Sequence, residues 1–301
     1  MLSEAPSTAR PPAPGPERAI GVGVAIATRD RRDSLLQTLE RLAALPERPP
    51  VVVVDNGSAD GTPAAVRAAH PNVPVIEARR NLGSAARTLA ARALDTPVIA
   101  FSDDDSWWSP GALARAASLF QRHPGLGLIA GRILVGPEER LDPTCTEMGR
   151  SPLPRDPRLP GPSVLGFVAC GAVARRAALL EVGGFHPRLG IGGEERLLAI
   201  DLAAAGWGLA YVEDVVAHHH PAGPGRATRP ATVPRNELWT AWLRRPFPSA
   251  ARVTAAVVRD TARRRQPAAL LDALRGLPWI ARERRVVGAA LERSIRALEA
   301  V

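Results

Sequence analysis

Along the first hundred residues the apolar positions switch repeatedly between a period of two and a period near 3.6. Ile20 to Ala27 alternates small and β-branched residues and reads as a buried strand. Asp30 to Leu45 follows with Leu35, Leu36, Leu39, Leu42 and Leu45 at helical spacing. Val51 to Val54 is a valine strand ending in Asp55-Asn56-Gly57-Ser58, a turn of residues that tolerate unusual backbone angles. A helix over Thr62 to Ala69, a strand over Val73 to Glu77, a helix over Ser84 to Leu94 and a strand over Thr96 to Ser102 complete four strand–helix alternations. This order predicts an α/β fold with a doubly wound, mostly parallel sheet flanked by helices. In such sheets ligands bind beyond the carboxyl ends of the strands.

The alternation fades after residue 110. Pro110 to His123 reads as a helix and Leu126 to Val135 as a strand. The Pro-rich interval 136–162 reads as a long loop, a length usually associated with function or mobility. Gly166 to Val173 supplies a small-residue strand, and Gly190 to Glu195 opens a helix reaching about Ala205. Trp207 to Val212 reads as the last strand, ahead of His218-His219-His220. Beyond Pro221 come three stretches of helical apolar spacing. They carry Val253 and Val257, then Leu270, Leu274 and Leu277, then Val287, Leu291, Ile295 and Leu298.

Composition changes this picture in two places. The net charge of +9 is concentrated in residues 221–301, where 16 Arg face 6 acidic groups; residues 1–220 hold 23 Arg and 24 acidic groups. All 39 basic residues are Arg, which together with abundant Ala, Pro and Gly suggests a coding bias and weakens any claim that Arg was selected for phosphate. The charge is real whatever its codons. Basic amphipathic helices with Trp239, Trp242 and Trp279 could lie on an anionic membrane surface, or pack as a helical cap with a solvated Arg face. No apolar run of eighteen residues occurs in the sequence, and residues 1–18, rich in Pro and Ala without an apolar stretch, read as a disordered leader. Two well-separated cysteines, Cys145 and Cys170, form no metal-type pair and suit a reduced, cytoplasmic setting.

Candidate chemistry sits at the strand ends. Asp103, Asp104 and Asp105 directly follow the fourth strand. Three adjacent carboxylates repel one another, and a divalent cation, which prefers oxygen ligands, would neutralise them and bridge to a diphosphate. The bland alternative is a solvated acidic turn ahead of the helix after Ser109-Pro110. Thr28, Asp55 and Arg79 or Arg80 fall at the ends of the neighbouring strands. Glu194 and Glu195 open a helix behind Gly190, Gly192 and Gly193; the helix dipole explains acidic residues there, while the glycines allow close approach of a substrate. A histidine following a strand, among His218, His219 and His220, could complete a cation's coordination, although clustered histidines are often incidental. A dinucleotide fingerprint is absent, because Gly21 and Gly23 lie inside the first strand and Ile26 takes the third glycine position.

In this order the chain resembles the inverting, nucleotide-sugar-dependent glycosyltransferases of family 2, whose fold is called GT-A. The resemblance covers about residues 20–220. It rests on Ala27-Thr28-Arg29-Asp30-Arg31, on Val54 to Thr62 with its Asp55-Asn56-Gly57-Ser58 turn, on Asn81-Leu82-Gly83 with Arg87, on the aspartates at 103–105, on Gly183-Gly184-Phe185, and on Glu194-Glu195. It implies a GT-A catalytic domain over 19–221 and a basic amphipathic helical tail over 222–301. Thr28, Arg29, Asp55, Arg80, Arg87, Asp103 and Asp104 would hold the nucleotide-sugar. Asp105, Asp103 and His218 would bind Mg²⁺ or Mn²⁺. Glu195, where the family usually has Asp, would be the general base, with Glu194 the alternative.

The resemblance further implies transfer of a hexosyl or deoxyhexosyl group from a nucleoside-diphosphate sugar to a saccharide or lipid-linked saccharide acceptor in cell-envelope synthesis. A cytoplasmic protein, peripheral at the inner face of the plasma membrane, would suit that role. A sugar nucleotidyltransferase would want a Gly-rich, Lys-containing phosphate loop, and the chain has no Lys. A degenerate sugar-nucleotide-binding scaffold is the other alternative. Nucleic-acid binding is not expected, because the few aromatics follow no single-strand-binding pattern.

Overall fold

The computed structural model describes residues 21–221, 232–263 and 268–300; the leader expected over 1–18 lies outside them. The first half alternates as predicted: β1 (Val22–Thr28), α1 (Arg32–Ala43), β2 (Val51–Asp55), α2 (Thr62–Ala69), β3 (Val75–Glu77), α3 (Ala85–Ala93) and β4 (Val98–Ser102). These strands pair in parallel in the order β3-β2-β1-β4. Successive residues of a strand point to opposite faces. Val24, Ile26, Val53 and Ala100 therefore enter one core with Leu35, Leu39 and Leu42 of α1. Ala25, Val52, Val54, Ile99 and Phe101 enter the other, against Ala86, Ala90 and Ala91 of α3. Both faces of the parallel strands are covered, which is why they read as continuous apolar runs.

The second half comprises β5 (Ser106–Trp108), α4 (Ala112–Arg122), β6 (Leu126–Val135), β7 (Arg140–Leu141), α5 (Pro143–Gly149), β8 (Ala172–Arg175), α6 (Arg176–Glu181), α7 (Glu194–Ala204) and β9 (Gly208–His219). The sheet continues from β4 as β8-β6-β9-β5, with β7 paired to β6. Because β8 runs antiparallel to both β4 and β6, the sheet is parallel in its first half and mixed in its second.

Three elements differ from expectation. The last strand does not stop at Val212 but continues to His219 alongside β6, across a bulge that displaces the register between Gly131 and Arg132. The exposed Glu213 and Asp214 sit in that bulge and interrupt the apolar pattern. The interval 136–162 is not all loop: Asp142 caps α5 by accepting from the Thr144 amide at 2.9 Å, and Pro143 occupies its first turn. Within 166–173 only the end is strand; Ala169–Gly171 forms a 3₁₀ turn leading into β8.

The tail forms α8 (Thr232–Arg244), α9 (Phe247–Arg263), α10 (Ala268–Arg275), α11 (Leu277–Glu283) and α12 (Ala289–Leu298). It packs on the body of the protein. Leu238, Trp239, Leu243, Val257, Trp279 and Ile280 form one cluster with Leu189 and Leu197. Val287 and Ile295 pack on Ile200 of α7. Charge reinforces the docking. Arg244 donates to Asp201 at 3.0 Å. Arg245, only 2% exposed, donates to Glu292 at 2.8 Å and to Glu299 at 3.0 Å. Trp239 and Trp279 are therefore core residues, and the indole N–H groups of Trp239 and Trp242 donate to Ala273 and Thr254 inside the tail. None of the described helices is long and apolar enough to cross a membrane.

Candidate active site

The carboxyl ends of β1, β2 and β4 form one rim. Thr28 pairs with Asp55 across β1 and β2, and β4 delivers Asp103 beside them. The Asp55 carboxylate organises its own turn, accepting from the amides of Gly57 at 3.0 Å and Ser58 at 2.9 Å and from the Ser58 hydroxyl. Ser58 Oγ in turn accepts from the Asp30 amide at 2.9 Å. Asn56 fastens the next motif: its side chain accepts from Leu82 N–H at 3.0 Å and donates to the Gly83 carbonyl at 3.3 Å. Gly83 has φ +58°, and a Cβ there would lie 2.7 Å from Gly190 Cα. The Asn81-Leu82-Gly83 segment thus requires glycine where it meets the loop before α7. Arg29 is half exposed beside Asp30, and Arg80 is exposed in the connection between β3 and α3.

The three aspartates separate into different roles. Asp104, expected among the donor-binding residues, is tied to β1 through its side chain and to α1 through its backbone. Its carboxylate accepts from Thr28 at 2.9 Å, and its carbonyl accepts from Ser34 at 2.8 Å and Thr38 at 3.0 Å. Burial, with the charges of Asp105 and Asp103, pushes Asp104 up to about 7. Asp103 forms an ion pair with Arg87. Asp105 Oδ1 lies 3.3 Å from His219 Nε2.

His218 and His219 face different surroundings. Adjacent residues of β9 point to opposite sides, and both ring nitrogens of His218 are engaged away from the aspartates, by Ser109 Oγ at 2.7 Å and Glu139 at 3.1 Å. Its ring stacks on Trp107. His219 instead faces the aspartates, and potential ligand atoms of Asp103, Cys170 and His219 all lie within 4.8 Å of one another. Burial pushes the Cys170 thiol well up. Asp103 and His219, with Asp105 beside His219, offer the oxygen and nitrogen donors that Mg²⁺ or Mn²⁺ takes.

Arg87, expected among the donor-binding residues, lies inside the protein. It is buried, with its guanidinium between Asp103 and Glu194, 3.6 Å from the latter. Burial opposes its charge, but the two carboxylates outweigh it and raise the pKa above the ordinary value. Glu194 is 1% exposed and also accepts from the Gly192 amide. Glu194 is thus enclosed between Arg87 and its own loop. Glu195 lines a cavity of about 730 Å³ together with Met148, Phe167 and Ile295. Burial and the neighbouring charge of Glu194 push Glu195 up to about 7.

The tail takes part in holding this pair. Asn236 of α8, fully buried, donates to the carbonyls of Leu189 at 2.9 Å and Gly192 at 2.8 Å. Arg235 donates to Leu189 O at 2.8 Å. The loop that positions Glu194 and Glu195 is therefore clamped from outside the sheet domain. Sequence reasoning missed Asn56, Cys170, His219 and Asn236. Strand alternation would have separated His218 from His219 had β9 been read to its full length.

The family model described as Glycosyl transferase family 2 matches residues 23–183. An N-acetylglucosaminyl-diphospho-decaprenol L-rhamnosyltransferase of Mycobacterium tuberculosis is 30% identical over 219 residues, covering 61% of this chain and 71% of the relative. Among solved structures, the mannosyltransferase PcManGT from Pyrobaculum calidifontis, in complex with GDP-Man and Mn²⁺, superposes with a TM-score of 0.56 at 19% identity, over 96% of this chain and 88% of that one. GalNAc-T7 with UDP, GalNAc and Mn²⁺ gives a TM-score of 0.57 at 14% identity, over 75% of this chain and 48% of that one. These likenesses share the fold with the α/β sheet described above.

Proposed function

The chain belongs to glycosyl transferase family 2, and from that premise we propose that it is a metal-dependent, inverting enzyme. It moves a sugar from a nucleoside diphosphate to a hydroxyl of a lipid-linked saccharide in cell-envelope synthesis. The observation that carries the proposal is the link made by Arg87. It pairs with Asp103, near Asp105 and His219, and lies 3.6 Å from Glu194, the neighbour of Glu195, which lines a cavity.

Asp103, Asp105 and His219 would hold the cation, which when bound supplies Lewis-acid stabilisation of the leaving diphosphate. The rim around Thr28, Asp55 and Arg80 would receive the nucleotide. Glu195 accepts the proton of the acceptor hydroxyl as that oxygen bonds to the anomeric carbon. The bond from that carbon to the phosphate oxygen breaks, and its electron pair leaves with the nucleoside diphosphate. A single displacement of this kind inverts the anomeric centre. A carboxylate held up to about 7 is matched to that task near neutral pH. The lipid-linked acceptor is supported by the likeness to the mycobacterial rhamnosyltransferase.

Titration calorimetry with UDP, GDP and dTDP, each with and without Mn²⁺, tests the proposal. One nucleotide should bind with a marked dependence on Mn²⁺, and Asp105→Asn should abolish that dependence. If none of the three binds with metal, the donor reading falls.

A peripheral position at an anionic membrane is supported by a different surface from the one the tryptophans suggested. Leu271, Leu274 and Leu277 are 57%, 60% and 48% exposed, next to Arg275. Flotation of the full chain with phosphatidylglycerol vesicles should be lost in the Leu271→Glu, Leu274→Glu double variant. Equal flotation of both proteins, or of neither, excludes this surface.

A further inference from the structure

The turn before β8 brings a sulfur atom to the rim of aspartates. β8 runs antiparallel to β4, and their pairing ends at Ala100 with Val173. Asp103 and Cys170 each stand three residues beyond that pair, so the same register carried onward sets them level. His219 ends β9 opposite Ser106 of β5, and one ligand atom from each of Asp103, Cys170 and His219 lies within 4.8 Å of the other two. Arg87 engages Asp103 through Oδ1, and a carboxylate has a second oxygen to offer. Asp105 Oδ1, 3.3 Å from Nε2 of His219, gives that imidazole the carboxylate partner that ligating histidines usually keep.

A buried cysteine is usually a small apolar core residue. Cys145 fits that description, since its sulfur meets only backbone groups: it accepts from the Ile133 amide at 3.2 Å and donates to the Gly131 carbonyl at 3.9 Å. Cys170 is equally buried, yet its sulfur has a carboxylate and an imidazole for neighbours. Sulfur beside oxygen and nitrogen donors is the mixture Zn²⁺ takes, whereas Mg²⁺ and Mn²⁺ favour oxygen.

Resting on the placement of the cation among Asp103, Asp105 and His219 above, we infer that Cys170 is a further ligand of that site and makes it bind Zn²⁺ through sulfur. On binding, Sγ gives an electron pair to the metal and the S–H proton passes to solvent, with no change of oxidation state. The site then accepts two classes of cation. Mn²⁺ or Mg²⁺ uses the oxygen and nitrogen donors; Zn²⁺ adds the sulfur and competes for the same place. That selectivity belongs to the turn before β8.

Co²⁺, a spectroscopic substitute for Zn²⁺, reports a thiolate ligand through a near-ultraviolet charge-transfer band that carboxylate and imidazole ligands do not give. Added to the full chain with a phosphine reductant and no nucleotide, Co²⁺ should produce that band, and Zn²⁺ should bleach it. The chain has two cysteines, so single replacements assign the ligand. Cys170→Ser and Cys170→Ala should each abolish the band, and Cys145→Ser should keep it. Zn²⁺ affinity, read by competition with a chromogenic chelator, should fall about tenfold or more in Cys170→Ser and in His219→Ala.

No band with wild type, a band that survives in Cys170→Ala, or unchanged Zn²⁺ affinity in Cys170→Ser overturns the inference. If the band is absent while nucleotide binding depends on Mn²⁺, the inference falls and the donor reading stands. If the band appears and is lost with Cys170, but no nucleotide binds with any metal, the donor reading falls and the sulfur ligand remains.

Discussion

Arg87 lies with its guanidinium 3.6 Å from the Glu194 carboxylate while pairing with Asp103 on its other side. One buried cation thus joins the aspartates after β4 to the start of α7, two segments ninety-one residues apart between Asp103 and Glu194. Removing one partner from such a cluster leaves uncompensated charge in a dry place. Arg87→Met should cost about 3–5 kcal/mol in urea denaturation. Adding Glu194→Gln should return part of that loss, because one of the two stranded carboxylates is then neutral. A double variant as unstable as the sum of its parts would show that the two residues are energetically independent.

Glu195 should separate binding from turnover. Glu195→Gln is expected to leave metal-dependent nucleotide affinity unchanged and to lower kcat by about 10²–10⁴-fold. Glu194→Gln should act on stability more than on chemistry. With Glu195 held up to about 7, the ionised base is lost as pH falls. kcat/KM should then drop about tenfold per unit below pH 7 and level off above it. The same shift has a stability signature. Between its unfolded value near 4.5 and about 7 the folded chain binds the extra proton, so stability declines as pH rises through that window. Glu195→Gln should remove that decline, seen by comparing melting temperatures across it.

His219 and His218 offer a test of the strand register. His219→Ala should weaken Mn²⁺ binding about 10–100-fold, read by calorimetry in the presence of nucleotide. His218→Ala should leave Mn²⁺ affinity unchanged and lower stability by about 1 kcal/mol, since it removes the Ser109 and Glu139 contacts. The opposite ranking would return the metal to His218.

Asn236 links the tail to the base. Asn236→Ala leaves the carbonyls of Leu189 and Gly192 without their side-chain donor. A cost of about 1–3 kcal/mol in stability is expected. Because the freed loop runs into Glu194 and Glu195, kcat should also fall while nucleotide affinity holds. A variant that loses stability with kcat intact would reduce Asn236 to a structural role.

The parallel half of the sheet was legible in the sequence because its signals are local. The strands are buried on both faces, and α2 was predicted at the bounds it takes, Thr62–Ala69, where Gly61 and Pro63 frame its first turn. The second half was harder for physical reasons. Glu213 and Asp214 break the apolar run of β9 at a bulge, so the strand was cut short and the alternation that separates His218 from His219 was not visible. The Asp142 cap of α5 was hidden in a Pro-rich interval. Long-range partners left no local trace at all. Nothing near Arg87 in the sequence announces Glu194, and nothing near Asn236 announces Gly192. The tryptophans of the tail are compatible with a membrane face or a core, and their burial depends on partners such as Leu189 and Leu197, contributed by the loop before α7 and by α7 itself.

Both counter-charges of Arg245 come from the last helix: Glu292 and Glu299 reach back to a guanidinium sealed among the helices beneath them. The C-terminus is thus a plug whose removal does more than expose apolar surface. Shortened versions of the protein ending before Ala289 would strand a lone cation inside, and they should unfold or aggregate when expressed. Engineering that needs a smaller protein would have to neutralise position 245 in the same step, for instance with Arg245→Met.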